Sequence, residues 1–250
     1  MVLDALEIIF VSTPWIVIAS LIILLTWLTA GVRMAIYSSG FLAYMGFLGF
    51  WEKAMTTLAL LGTAACLSIL IGIPLGMFAA RRPRFYSFIQ PIMDFMQTMP
   101  AFVYLIPVVM LLGIGRIPGV IAVVIYAIPP VIRLTNLGIR LVDKEVLEAA
   151  TAYGANGRQR LIGVQLPLAM PTIMAGINQT LMLSLSMVVI ASMIGVKGLG
   201  QPVLKSITNQ YFTLGLLNGF AIVALAILFD RASQAYAKRT QAHLGDLKHD

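Results

Sequence analysis

Two histidines, His243 and His249, and one cysteine, Cys66, are all that this 250-residue sequence offers for soft-metal ligation or thiol chemistry. Both histidines fall in the polar C-terminal stretch, and Cys66 lies inside an apolar run. A zinc or haem centre therefore lacks ligands, an internal disulfide lacks a second cysteine, and no metal is expected. Of the 10 acids, Asp94 alone sits well within an apolar run. An enzyme acting on lipids inside the membrane, which needs a cluster of acids, histidines or cysteines, has nothing to build on. No G-x-x-x-x-G-K-[ST] phosphate loop occurs, so ATP hydrolysis by that device is absent. No catalytic residue is expected, and the remaining polar residues are suited to contact and passage.

The first such set begins at Asp94. It reads either as a negative group that attracts a cationic solute or as a partner for a basic side chain such as Arg133, the second being the simpler. Gln97, Thr98 and Pro100 follow and break the helix character, Pro107 adds a second break, and Pro129–Pro130 and Pro171 do the same nearby. Tyr104, with Phe102 close by, offers an aromatic face to a quaternary ammonium group, although packing explains such aromatics as readily. Asn178, Gln179, Thr180, Ser184 and Ser186 decorate a later run, where hydrogen bonding between helices accounts for them without a solute. Asp94, Gln97, Thr98, Tyr104, Asn178, Gln179 and Ser184 are the candidate pathway residues. Gly72-x-x-x-Gly76 fits close helix packing, with Pro74 weakening a dimer reading.

The second set is EAATAYGANGRQRLIGVQLP, Glu148 to Pro167. Asp143 is a plausible helix N-cap ahead of Glu145, Leu147, Glu148, Ala149 and Ala150. Gly154 and Gly157 bracket Asn156 as a turn. A second amphipathic stretch, Arg158 to Leu166, is expected to end at Pro167. Ala149 and Ala150 leave a helix face nearly bare for a close-approaching partner, Glu148 supplies a charge, and Gly154 permits the turn.

The elements that carry these sets are apolar helices. Hydrophobic residues make up 60% and charged ones 11% of the chain, with mean hydropathy +0.93, against about 25% charged in a soluble domain. That excludes a soluble globular enzyme and disorder. Runs at 14–29, 34–50, 56–80, 88–112, 117–134, 169–194 and 214–229 predict six or seven transmembrane helices of an all-α multi-pass protein, since about 20 apolar residues span the bilayer. A β-barrel would need alternation instead. Asp4 and Glu7 precede the first run where a signal peptide would be basic. Placing Arg81, Arg82 and Arg84 inside puts all other Lys and Arg inside too, save Lys53, Arg116, Lys197 and Lys205. The net charge of +7 then reflects topology, not nucleic acid. The expected organisation is 1–50 with one or two spanning or interfacial helices, 51–232 as the transmembrane domain, a cytoplasmic hairpin at about 140–167, and a cytoplasmic polar tail at 233–250. The outside loop 196–213 is long enough to meet an external protein.

Glu148-Ala149-Ala150, Gly154 four positions after Ala150, and Val164-x-Leu166-Pro167 together resemble the EAA-x3-G-x9-I-x-LP signature of the membrane subunits of binding-protein-dependent ABC importers. Val164 stands where isoleucine is usual. Pro91–Gly115, Pro129–Arg140 and Pro171–Gly195 are similar to the permeases for glycine betaine, proline betaine, choline and related osmoprotectants, a likeness covering about 51–231. The resemblance implies the type I importer permease fold, a homodimer in the lipid of a prokaryotic cytoplasmic membrane with the C-terminus inside, and an extracytoplasmic solute-binding protein. It implies two ATPase subunits that hold ATP and Mg2+, this chain binding no cofactor itself. Glu148, Ala149, Ala150, Gly154, Val164, Leu166 and Pro167 would be the ATPase-coupling residues. Trimethylamine oxide or an amino acid as solute, and an ion-coupled secondary transporter, are the alternatives.

Overall fold

The computed structural model describes residues 9–246 apart from Val11, with side chains as far as Ala235. The histidines and the last four residues lie outside that description of side chains. The described residues form helices and turns, with no strand among them. Helices α1 (Trp15–Ala30) and α2 (Val32–Phe47) are joined by Gly31 alone, at φ +86°. Thr26 and Ser38 share a buried hydrogen bond of 2.9 Å. Twelve residues of continuing helix would separate them by about 18 Å, so the chain doubles back at Gly31. The Trp15 ring meets Trp51 edge-on at 6.4 Å, which brings the start of α1 beside the start of α3 (Trp51–Arg81).

Two expected runs change shape. The run at 88–112 is a broken pair, α4 (Pro83–Thr98) and α5 (Ala101–Leu112), meeting at 104°. Pro100 is the cause. It pushes Met99 into an extended conformation, φ −68° and ψ 134°, and it has no N–H for the Met96 carbonyl. The Tyr104 hydroxyl donates to that carbonyl instead. Pro107 and Pro171, expected as further breaks, lie within helices that continue through them. Next come α6 (Arg116–Ala127) and α7 (Pro129–Arg140), together one span, and α8 (Lys144–Ala152).

The hairpin's second arm does not end at Pro167. It runs on as one helix, α9 (Gly157–Ile194). A π turn at Arg160–Gln165, in which the Leu166 N–H reaches the Leu161 carbonyl, widens the backbone just where the Pro167 ring would clash with the carbonyl four residues back. Arm and span are therefore one rod. The chain closes with α10 (Gly200–Thr208) and α11 (Phe212–Asp246). Since α11 continues past 233, the expected tail is no break in the fold as far as Asp246.

Among the described residues four helices can cross a membrane by length and composition: Trp51–Arg81, Arg116–Arg140, Gly157–Ile194 and Phe212–Ala235. The bent pair makes a fifth if counted as one span. This is fewer than the six or seven expected. At 16 residues, α1 reaches about 24 Å against a hydrocarbon core of about 30 Å, and α2 is diluted by Arg33, Ser38 and Ser39.

The centre of the fold is α7, held between α3 and α9 through glycines. A Cβ at Gly72 or Gly76 of α3 would lie 2.3 Å from Val131 Cγ1 or 2.6 Å from Thr135 Cβ. Gly138 of α7 lies against Thr172 and Ala169, and Gly176 of α9 against Leu134 and Val131. The Gly72/Gly76 pattern thus serves packing within one chain. The loop at 196–199 folds inward: Val196 and Leu199 are buried, and the Leu199 N–H donates to Thr57 Oγ1 at 2.9 Å.

Candidate functional site

The hairpin is built from local rules. The Asp143 carboxylate caps α8 by accepting the Glu145 N–H at 3.0 Å. At its other end the Ala155 N–H reaches the Ala150 carbonyl at 3.0 Å and the Gly154 N–H reaches Thr151 at 2.9 Å, with Gly154 at φ +82°. This is a Schellman ending, which glycine accommodates without strain. Asn156 then forms a capping box: its Oδ1 accepts the Gln159 N–H at 2.9 Å, and Gln159 Oε1 accepts the Asn156 N–H at 2.9 Å.

Long side chains fix the pose. Arg160 Nη1 donates to Thr151 Oγ1 at 3.2 Å across the two arms, and Arg81 Nη2 donates to the Gly157 carbonyl at 2.6 Å, tying the hairpin to the end of α3. Leu161 is buried with Ile139, Ala169 and Ile173, and Leu166 packs on them. By contrast no residue of α8 is buried. Glu148, Ala149 and Gly154 are exposed, Ala150, Val164 and Pro167 are half-buried, and Tyr153 is 94% exposed at the tip. One half of the motif anchors and the other half is presented.

Arg81 was not singled out by its sequence context, where three arginines look alike. Its neighbour Arg82 lies over the Phe78 ring at 4.8 Å instead. An exposed charge-assisted bond is worth about 1 kcal/mol, so Arg81→Ala is expected to raise the population of displaced hairpin positions about fivefold. Spin labels at Ile162 and on α3 should report a broadened distance distribution, and Arg82→Ala should not produce it. Equal distributions in all three proteins would remove Arg81 from this role.

The candidate pathway residues fall into three groups. On α4, Ser87, Gln90, Asp94, Gln97 and Thr98 are exposed along one side, and Asp94 forms an ion pair with Arg133 of α7. Tyr104 is placed in the core, 5% exposed, with its hydroxyl on Met96 and its ring 5.7 Å from Tyr126; here it packs rather than lines an opening, while Phe102 is exposed. On α9, Ser184 and Thr180 are fully buried and Gln179 is exposed.

Asn178 Nδ2 donates to Asp230 Oδ1 at 3.0 Å, Gln234 Nε2 donates to the same oxygen at 2.7 Å, and Ser233 donates to Asn178 Oδ1. Asp230 is thus a second acid in a spanning helix. The sequence reading missed it because the last apolar run stops one residue earlier, at Phe229. Outside these groups, Lys53, Gln201, Lys205 and Asn209 line a cleft of about 690 Å³ where α10 meets α3. Among the described residues no three of His, Cys, Asp or Glu are placed to hold a metal ion.

Comparison with known proteins places this geometry. The chain is 53% identical over 219 residues to the glycine betaine/proline betaine transport system permease protein ProW of Escherichia coli (strain K12), covering 88% of this chain and 62% of that protein. It therefore spans less than two thirds of that relative's length. It is 44% identical over 245 residues to the glycine betaine/carnitine transport permease protein GbuB of Listeria monocytogenes, covering 96% of this chain and 87% of that one. Among solved structures, the inward-facing MetNI methionine ABC transporter matches with TM-score 0.67 at 21% identity, over 76% of this chain and 95% of that chain. That likeness shows a shared type I importer permease fold. Residues 72–242, from the tight α3–α7 crossing through the hairpin to α11, match the binding-protein-dependent transport system inner membrane component, and the chain belongs to that family.

Proposed function

We propose that this chain is the permease subunit of an ABC importer that carries a quaternary-amine compatible solute, such as glycine betaine, proline betaine or choline, across the cytoplasmic membrane of a prokaryote. Two copies would form the pathway, with the hairpins and C-termini inside. An extracytoplasmic binding protein would deliver the solute, and two separate ATPase subunits would hold ATP and Mg2+. The observation that carries this reading is the 53% identity over 219 residues to a glycine betaine/proline betaine permease.

The hairpin geometry supports the coupling step. Because α9 is one 38-residue rod from Gly157 to Ile194, a push on the exposed arm α8 travels along a single helix into the packed centre. ATP binding would draw the ATPases together, move both hairpins inward and open the cavity to the outside, and hydrolysis would reset it.

The test is co-purification. The chain should retain an ATPase subunit, and the reconstituted complex should hydrolyse ATP several-fold faster with its binding protein loaded with a methylated amine. Stimulation by an amino acid or trimethylamine oxide alone would replace the solute class. Uptake that persists without any ATPase and collapses with an ionophore would replace the mechanism.

A further inference from the structure

We propose that the Asp94–Arg133 ion pair is where the solute is received in passage, and that it selects zwitterions: the solute's ammonium takes the place of Arg133 beside Asp94, and its carboxylate takes the place of Asp94 beside Arg133. This deepens the functional reading above and rests on it. No bond is made or broken; one ion pair is exchanged for two.

Four observations carry the inference. First, the two side chains remain 31% and 51% exposed in a protein whose helices cross a membrane. Asp94 lies about 16 Å along α4 from Pro83, on a segment apolar enough with α5 to enter a membrane, and there a charge facing hydrocarbon is strongly disfavoured. The face must look onto water or a second copy across a water-filled path. Second, Ser87, Gln90, Asp94 and Gln97 recur at steps of three and four on that same face of α4, all exposed. A polar stripe at helical spacing is a lining, not a lipid contact.

Third, the stripe ends at the 104° bend. Irregular backbone at membrane depth is tolerated where it is buried in protein or borders a cavity. Fourth, the pair is able to open. Met93 is the one buried residue of α4, so this helix is lightly held, and Arg133 meets Asp94 through Nη2 alone rather than through a two-pronged fork.

The selectivity follows from charge balance. A simple cation entering the pair satisfies Asp94 and strands Arg133 without a counter-charge. A zwitterion satisfies both and leaves the net charge of the site unchanged. Its carboxylate also suits the fork of an arginine better than any other basic group.

The test reads binding on the permease itself. In the permease–ATPase complex, with the single cysteine removed by Cys66→Ala, Gln97→Cys places a thiol one turn from Asp94. A charged, water-soluble thiol reagent should label it. Millimolar glycine betaine should slow labelling at least fivefold, choline should protect much less, and Arg133→Gln should abolish the protection by glycine betaine. If Arg133→Gln does not assemble with the ATPase, Arg133→Lys, which keeps the charge without the fork, should weaken protection severalfold. Absence of labelling would show that the stripe does not face water and would overturn the proposal, as would equal protection by the two solutes or protection that survives at Arg133. Import by the Cys66→Ala chain is measured alongside. Import without protection sinks this inference alone, and failure to import any quaternary amine sinks the functional reading with it.

Discussion

Glu148→Arg is expected to abolish solute import while the chain still inserts and folds. Glu148 lies on the exposed side of α8, and no residue of that helix is buried, so the change removes no packing and costs the fold little. It reverses a charge in the middle of the bare, small-residue face on which the proposed function would seat the ATPase. A charged contact at the centre of an interface is worth about 2 kcal/mol or more, a loss of about thirtyfold in partner affinity. Gly154→Val separates shape from contact. A Cβ there meets nothing within 4 Å, so space is no obstacle. The obstacle is φ +82°, which costs a non-glycine residue roughly 1–2 kcal/mol, more when β-branched, and the relaxed turn would redirect Tyr153 at the tip. Both variants should reach wild-type levels in the membrane, lose at least tenfold in import, and retain less ATPase on co-purification. Normal import by both would remove the hairpin from the coupling path.

That hairpin was the most legible part of the chain because its rules are local. The Asp143 cap, the turn at Gly154 and Asn156, and the exposed position of Glu148 and Ala149 all follow from a residue and its near neighbours, and each is found where the sequence puts it. What the sequence misread depends on distant partners. Pro100 and Pro171 look equivalent in one dimension. Pro100 breaks its helix and Tyr104 takes the carbonyl that it frees, whereas Pro171 sits inside a rod packed on α7. Pro167 announces a helix end and does not make one, since a π turn absorbs it. Gly138 and Gly176 carry no local signal, and their meaning lies in Thr172, Ala169 and Val131 across the helix contacts. Asp230 draws no notice in the sequence because hydropathy does not reveal its bond to Asn178.

The same distinction sets the second large effect, which falls on Gly76. A Cβ at this position would lie 2.6 Å from Thr135 Cβ and 2.8 Å from the Ile132 carbonyl oxygen. A side-chain end could rotate aside; a backbone carbonyl in the middle of α7 cannot. Gly76→Ala therefore forces α3 and α7 apart, and α7 cannot retreat freely because Gly138 and Gly176 hold it close to α9 as well. Overpacking of this kind costs about 1–3 kcal/mol for one added methyl group, and Gly76→Leu, with three more carbons, should leave no folded protein to purify. Gly62→Ala on the same helix is the control. Nothing lies within 4 Å of its would-be Cβ, and replacing a mid-helix glycine by alanine gains up to about 1 kcal/mol. Thermal unfolding of the detergent-purified proteins should place Gly76→Ala several degrees below wild type and Gly62→Ala at or above it. The gap should persist whichever ATPase or solute is present, because the crossing belongs to the fold rather than to the transport cycle. Equal midpoints for the two alanine variants would mean that α3 and α7 are not in the close contact from which the rest of the helix arrangement is built.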